Sequence, residues 1–246
     1  MKLSVVIPAH NEERGLAKCL ESVLREGERS GCDVEVVVVN NASTDRTAEV
    51  ASRFSLVRLV DEPRKGLSMA RHRGYIESTG ALIANVDADC IMPRGYIQRV
   101  IRNFENDGRL VCLSGPFDYY DLPQFSRIFA AIFYLFQVFP NIIGQRILKL
   151  GAVAQGGNFI VRRSALDKVG GYNTAITFYG EDTDIATRLS RVGLVRFSYR
   201  VRMKTSGRRL LKEGVFWTGY LYTLNIIFTL FYGKPLTRIH KDIRAV

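Results

Sequence analysis

Residues 34–45 read "VEVVVVNNASTD". A β-branched run of that length suits a strand buried on both faces, as in a parallel sheet. It empties at once into "NNASTD", where Ser43, Thr44 and Asp45 make a good helix start. Buried strand, polar loop and helix together form one unit of an α/β fold.

The unit recurs on either side. "LSVVIP" (Leu3 to Pro8), "SLVRLV" (Ser55 to Val60) and "ALIANVD" (Ala81 to Asp87) read as further strands. Between them the helical period spans Glu12 to Glu26, with Leu16, Leu20, Val23 and Leu24 on one face, then Thr44 to Phe54 and Leu67 to Ser78. Repeated strand and helix imply right-handed crossovers and an open α/β sheet. Ligands of such sheets bind beyond the carboxyl ends of the strands, so "PAHNEE", "NNASTD" and "DAD" are expected to meet along one rim.

A chain of 246 residues, 47% of them hydrophobic, can bury one substantial core with an appended piece. Its 35 Lys and Arg against 24 acids give a net charge of +11, which favours anionic partners. Nucleic acid is not among the partners expected. The aromatic residues cluster in apolar runs rather than interleaving with Lys and Arg as stacking platforms do. Cys19, Cys32, Cys90 and Cys112 show neither a paired framework nor metal-ligand spacing, and "MKLSVVIPAH" is not an export segment; the reading is a cytoplasmic setting.

"NVDADC" sets Asp87 and Asp89 two positions apart. On a regular strand they point to opposite faces, so both serve one ion only if the strand ends there, and Cys90, Ile91, Met92 and Pro93 do leave the strand pattern. Paired carboxylates without His or Cys suit Mn²⁺ or Mg²⁺, whose shells are completed by water and phosphate. An isolated Asp-x-Asp is more often a solvated turn or cap. Its company changes that balance: "KGLSMARHRG" brings Lys65, Arg71 and Arg73 just before the strand, and guanidinium groups and helix N-termini stabilise phosphate oxygens. In "YGEDTDIATRLSRVG", Glu181, Asp182 and Asp184 open a helix. Acids there compensate the helix dipole, and one held in a closed site can act as a general base.

Together the motifs "VVIPAHNEE", "VVVVNNASTDRT", "KGLSMARHRGYIESTGALIANVDADC", "GGNFIVRRSALDKVGGYN" and "YGEDTDIATRLSRVG" resemble the inverting nucleotide-sugar glycosyltransferases of family 2, which have the GT-A fold. The resemblance covers roughly Leu3 to Phe197. It implies an open, mixed but mainly parallel α/β sheet flanked by helices, spanning 1–205, with a nucleotide-binding half (1–115) and an acceptor and catalytic half (116–205). A basic, aromatic helical extension would follow over 206–246.

The resemblance also implies roles. Pro8, His10, Asn11 and Glu12 would border the nucleoside together with Ser43, and Asn41 falls where relatives often carry an Asp that reads the base. Lys65 and Arg71 would contact base or diphosphate, Asp87 and Ala88 the ribose and metal shell, and Asp89 would be the principal metal ligand. Gly156, Gly157 and Asn158 would lie near sugar and acceptor. Asp182 would be the catalytic base with Glu181 beside it, and Arg208 and Arg209 would help the nucleotide leave. Many relatives have a metal-binding His after the last core strand; here that region reads "VRMKTSGRR", and the third ligand is unassigned. The alternative from another class is a non-catalytic nucleotide- or membrane-binding module of the same fold.

Two stretches stand apart. "FSRIFAAIFYLFQVFPNIIGQRILKL" (Phe125 to Leu150) is aromatic at helical spacing, and Val215 to Tyr232 is uncharged between basic flanks. In the second, Trp217, Leu221, Leu224, Phe228 and Phe231 make a stripe, with Thr218, Tyr222, Asn225 and Thr229 on other faces. An interfacial helix, a packed helix and a spanning helix all fit; the first is favoured, giving peripheral membrane contact and a lipid-linked or glycan acceptor.

Overall fold

In the computed structural model the β-branched runs form four parallel strands: β1 (Leu3–Ala9), β2 (Val34–Asn41), β3 (Val57–Glu62) and β4 (Leu82–Val86), ordered β3-β2-β1-β4. Residues 1–128, 134, 154–176, 179–232 and 236–237 are described. β1 is buried along its whole length, Val5 and Ile7 entering one core layer and Val6 the other. That two-sided burial is what the continuous apolar run requires.

Helices α1 (Leu16–Ser30), α2 (Thr47–Ser52) and α3 (Leu67–Glu77) make the crossovers. α3 lies very close to the sheet because residue 74 is glycine: a Cβ there would collide with Val6 of β1 and reach Val39 of β2 at 3.2 Å. The rest of the chain runs through α4 (Tyr96–Asn106), β5 (Leu110–Ser114), β6 (Phe117–Tyr119), β7 (Asn158–Arg162), α5 (Arg163–Lys168), α6 (Glu181–Ser190), β8 (Leu194–Phe197), β9 (Met203–Thr205), α7 (Arg208–Glu213) and α8 (Val215–Tyr232).

Among the described residues the main sheet has seven strands in the order β3-β2-β1-β4-β7-β5-β8. β7 enters antiparallel between β4 and β5, and β8 is parallel to β5. The sheet is therefore mixed and mainly parallel. Because β7 belongs to the second half of the chain and sits between strands of the first, the two halves share one sheet. A small parallel pair, β6 with β9, stands beside it.

α8 packs against α6 and α7. Three of its polar residues face inward: Thr218, Asn225 and Thr229 are buried, whereas Phe216, Trp217 and Tyr220 are 66%, 58% and 55% exposed. Thr218 donates to the Gly214 carbonyl at 2.8 Å and Asn225 to the Leu221 carbonyl at 2.8 Å, while Asn225 Oδ1 accepts from the Thr237 amide at 3.0 Å, so both polar groups are satisfied. The outward stripe is thus led by Phe216, Trp217 and Tyr220, while Leu221, Leu224 and Phe228 are half-buried and the Phe231 side chain lies outside the description. Among the described residues no helix is long and apolar enough to cross a membrane. Most of Phe125 to Leu150 also lies outside the described residues.

Candidate active site

The loops after β1 and β2 are laced together at the carboxyl edge of the sheet. His10 Nδ1 meets the Asn41 carbonyl at 2.7 Å, the Thr44 amide donates to Asn11 Oδ1 at 2.8 Å, and the Glu12 amide donates to Thr47 Oγ1 at 2.8 Å. The Asn11 amide donates to Ser43 Oγ at 3.2 Å. Asn11 and Ala42 both adopt positive φ, 52° and 51°, which marks these turns as held in place by their surroundings. Pro8 is buried in β1, and Lys65 is exposed in the loop after β3.

Asn41 is bonded to the loop after β3. Its Nδ2 donates to the carbonyls of Glu62 and Arg64 at 3.0 and 2.8 Å, and its Oδ1 accepts from the Gly66 amide at 2.8 Å. Both ends of the amide are spent on folding the 62–66 loop, work that a carboxylate, which only accepts, cannot do.

β4 ends at Val86, and the Cys90 amide closes a turn onto the Asp87 carbonyl at 3.0 Å, so the chain does bend where the two aspartates sit. Each aspartate is held by a guanidinium. Asp87 Oδ1 accepts from Arg71 Nη2 at 3.1 Å, and Asp89 Oδ2 lies 3.2 Å from Arg208 Nη2. Asp89 Oδ1 also accepts from Thr205 Oγ1 at 3.3 Å, and Arg208 Nη2 bonds Glu12 Oε1 in the first loop. Neutralisation by two arginines is why the neighbouring acids coexist in the protein alone. Ala88 between them is buried.

Arg71 is held inside the protein. Its side chain is wholly buried, bonded to Asp87 and to Glu181, and lies 5.2 Å over the Phe159 ring. It joins the β4 turn to the start of α6 from within. Glu181 is correspondingly buried. Burial raises its carboxyl to about 7, Arg71 opposing and the adjacent Asp182 adding to the rise. Asp182 is only partly buried and is the more accessible of the two; burial holds its carboxyl above the ordinary range, again with Arg71 opposing. The amides of Gly156 and Thr183 donate to it at 3.0 and 2.8 Å, fixing its orientation.

Gly157 has φ +78, and a Cβ at that position would collide with the Asp87 carboxylate. Only glycine lets the start of β7 approach the acid so closely. Asn158 is fully buried: its Nδ2 donates to the carbonyls of Gly115 and Val201, both at 2.9 Å, and its Oδ1 accepts from Tyr96 at 2.6 Å. It is a buried crosslink between strands and loops. Arg209 lies on the α6 side, 3.4 Å from Glu213 and hydrogen-bonded to Tyr179, so α7 puts Arg208 toward Asp89 and Arg209 toward the loop that leads to Asp182.

The motifs thus form a connected chain: Glu12, Arg208, Asp89, Asp87, Arg71, Glu181 and Asp182. A scan against family models matches glycosyl transferase family 2 over residues 4–170. The chain belongs to glycosyl transferase family 2. A second model, the N-terminal domain of galactosyltransferase, matches residues 151–210. Among curated family relatives, the probable glycosyltransferase YdaM of Bacillus subtilis is 29% identical over 221 residues, covering 80% of this chain and 48% of its own. The dolichol-phosphate mannosyltransferase of Pyrococcus furiosus is 33% identical over 110 residues, 43% of this chain and 31% of its own. The chain spans about half the length of YdaM or less of the other relatives. Among solved structures, the mannosyltransferase PcManGT of Pyrobaculum calidifontis, in complex with GDP-Man and Mn²⁺, superposes with TM-score 0.70 at 20% identity, covering 94% of this chain and 63% of its own. Glucosyl-3-phosphoglycerate synthase of Mycobacterium tuberculosis, in complex with Mn²⁺, UDP-glucose and phosphoglyceric acid, gives 0.64 at 20% identity over 95% and 80%. The family fold is therefore GT-A.

A hard divalent ion suits the family site here. Asp87 and Asp89 supply oxygen donors at the bend, and such ions accept one or two carboxylates with water and substrate phosphate completing the shell. Among the described residues no cluster of three or more His, Cys, Asp and Glu forms. Thr205 escaped the sequence reading, because a lone Thr before "SGRR" carries no signal of its contact with Asp89.

Proposed function

We propose that this family 2 chain transfers a sugar from a nucleotide-diphosphate sugar to an acceptor hydroxyl with inversion at the anomeric carbon. The observation that carries the reading is the bridge made by Arg71 between the Asp87–Asp89 turn and the Glu181–Asp182 helix start, which supports a phosphate-side and a base-side acid serving one site. A Mn²⁺ or Mg²⁺ ion, when bound at Asp87 and Asp89, would supply charge stabilisation to the departing diphosphate. Neighbouring structures bound to GDP-Man with Mn²⁺ and to UDP-glucose with Mn²⁺ support that donor class.

Asp182 takes the proton from the acceptor hydroxyl, its carboxylate aimed by the Gly156 and Thr183 amides. Glu181 and Arg71 hold the start of α6 at that position. Arg208 adds a positive charge on the diphosphate side. The exposed aromatic residues of α8, Phe216, Trp217 and Tyr220, on a helix that Tyr222 packs 5.8 Å from Tyr179 near the base, support an acceptor presented at a membrane surface, at the cytoplasmic face.

Asp182→Asn should abolish transfer while keeping donor-nucleotide affinity, and Asp89→Ala should remove metal-dependent nucleotide binding. Near-normal turnover of both variants, measured as nucleotide release with a panel of UDP-, GDP-, CDP- and dTDP-sugars, would refute the assignment.

A further inference from the structure

The two aspartates of the β4 bend are each paired with an arginine, and the two arginines are held very differently. Arg71 is wholly buried on α3 and also bonds Glu181, so it is part of the framework. The Arg208 side chain is one-third exposed, 33%, and stands at the start of α7, a helix of six residues none of which is buried. Its anchorage comes from the preceding residues: Ser206 Oγ and the Gly207 amide both donate to Asp121, each at 2.5 Å.

We propose that Arg208 is the resident countercharge of Asp89 in the free protein, and that it gives up this carboxylate when a divalent ion arrives with the donor diphosphate. The inference deepens the reading of Asp87 and Asp89 as the metal pair and rests on it. Asp89 Oδ2 has the guanidinium nitrogen at 3.2 Å and Oδ1 has Thr205 Oγ1 at 3.3 Å, so both oxygens are engaged. An ion bound at about 2.1 Å on the Oδ2 side would meet a positive guanidinium across the same atom, and the two cations exclude each other.

The exchange has a direction. Arg208 also holds Glu12 in the loop after β1, so leaving Asp89 does not release it from all negative charge. A diphosphate entering above that loop offers the guanidinium oxygens that match its planar fork. Free ion must therefore compete with Arg208, whereas ion and nucleotide together replace its partner. Ion and nucleotide binding become mutually favourable, by the reciprocity of linked equilibria.

The test measures Mn²⁺ binding to the full chain without nucleotide, by calorimetry or by the electron paramagnetic resonance signal of the free ion. Arg208→Gln should bind Mn²⁺ about tenfold tighter than wild type, because a site open one-tenth of the time binds with one-tenth of its intrinsic affinity. Arg208→Lys, which keeps the charge, should stay near wild type, and Asp89→Asn should lose the site. Thermal melting confirms that the variants are folded. Equal Mn²⁺ affinity in wild type and Arg208→Gln overturns the proposal. Failure of the metal-pair reading looks different: neither wild type nor any variant then takes up Mn²⁺ even with UDP or GDP present, and the proposal falls with it.

Discussion

At the scale of single residues, side chains of the candidate site also build its scaffold. Asn41 is the clearest case, since its amide donates twice to backbone carbonyls and accepts once. Asn41→Asp would set a buried carboxylate oxygen against two carbonyls, at a cost of about 3 kcal/mol. Urea unfolding checks this, and an unchanged midpoint would contradict the bonding described. Glu181 makes a prediction in pH. Burial raises it from 4.5 to about 7, so between those values the unfolded chain releases a proton that the folded chain keeps. Stability therefore falls as pH rises through that window. Glu181→Gln should flatten that part of the stability curve; a slope identical to wild type would show that the carboxyl is ionised throughout.

At the scale of elements, β1, β2 and β4 were legible because their continuous apolar runs are buried on both faces, β3 was legible despite its half-exposed edge position, and β5 to β9 were not read as strands, while helix limits were set by tertiary bonds. α1 begins at Leu16 rather than Glu12, because Glu12 and Glu13 are drawn into bonds with Thr47 at the start of α2 and Asp45 in the loop before it. α2 starts at Thr47 rather than Thr44, since Asp45 Oδ1 accepts from the Thr47 amide at 2.9 Å and folds the preceding residues into a turn. β3 runs to Glu62, two residues past the apolar run, because its register pairs Asn41 with Glu62. The acidic motifs could be found by type and order, but not the arginine attached to each, because pairing over 16 or more residues leaves no local signal. Gly74 tests how tightly α3 is set. Gly74→Ala forces a methyl group into Val6, which should cost about 1–3 kcal/mol and shift Arg71 with the helix. Donor affinity and melting temperature should fall together; a variant as stable and as active as wild type would show that α3 has room to spare.

At the scale of the whole molecule, net charge and surface pattern bear on where the proposed acceptor is met. The chain carries +11, and α8 turns Thr218, Asn225 and Thr229 inward and Phe216, Trp217, Tyr220 and Tyr232 outward, the reverse of a helix packed for water. Trp and Tyr favour the boundary between headgroups and hydrocarbon, and nearby cations such as exposed Lys212 add attraction to anionic lipid. Burying one large aromatic side chain is worth roughly 1.5–3 kcal/mol. The double variant Phe216→Ser, Trp217→Ser should therefore partition at least about tenfold less onto vesicles of phosphatidylglycerol and phosphatidylcholine than wild type. Both buried bonds of the inner face, Thr218 to Gly214 and Asn225 to Leu221, are untouched by these changes, so the fold should hold. Raising salt should weaken wild-type binding by screening the charge while leaving the aromatic contribution. Flotation on a density gradient reads both effects, and wild type recovered wholly with the soluble fraction, anionic lipid present, would remove the membrane from the proposal.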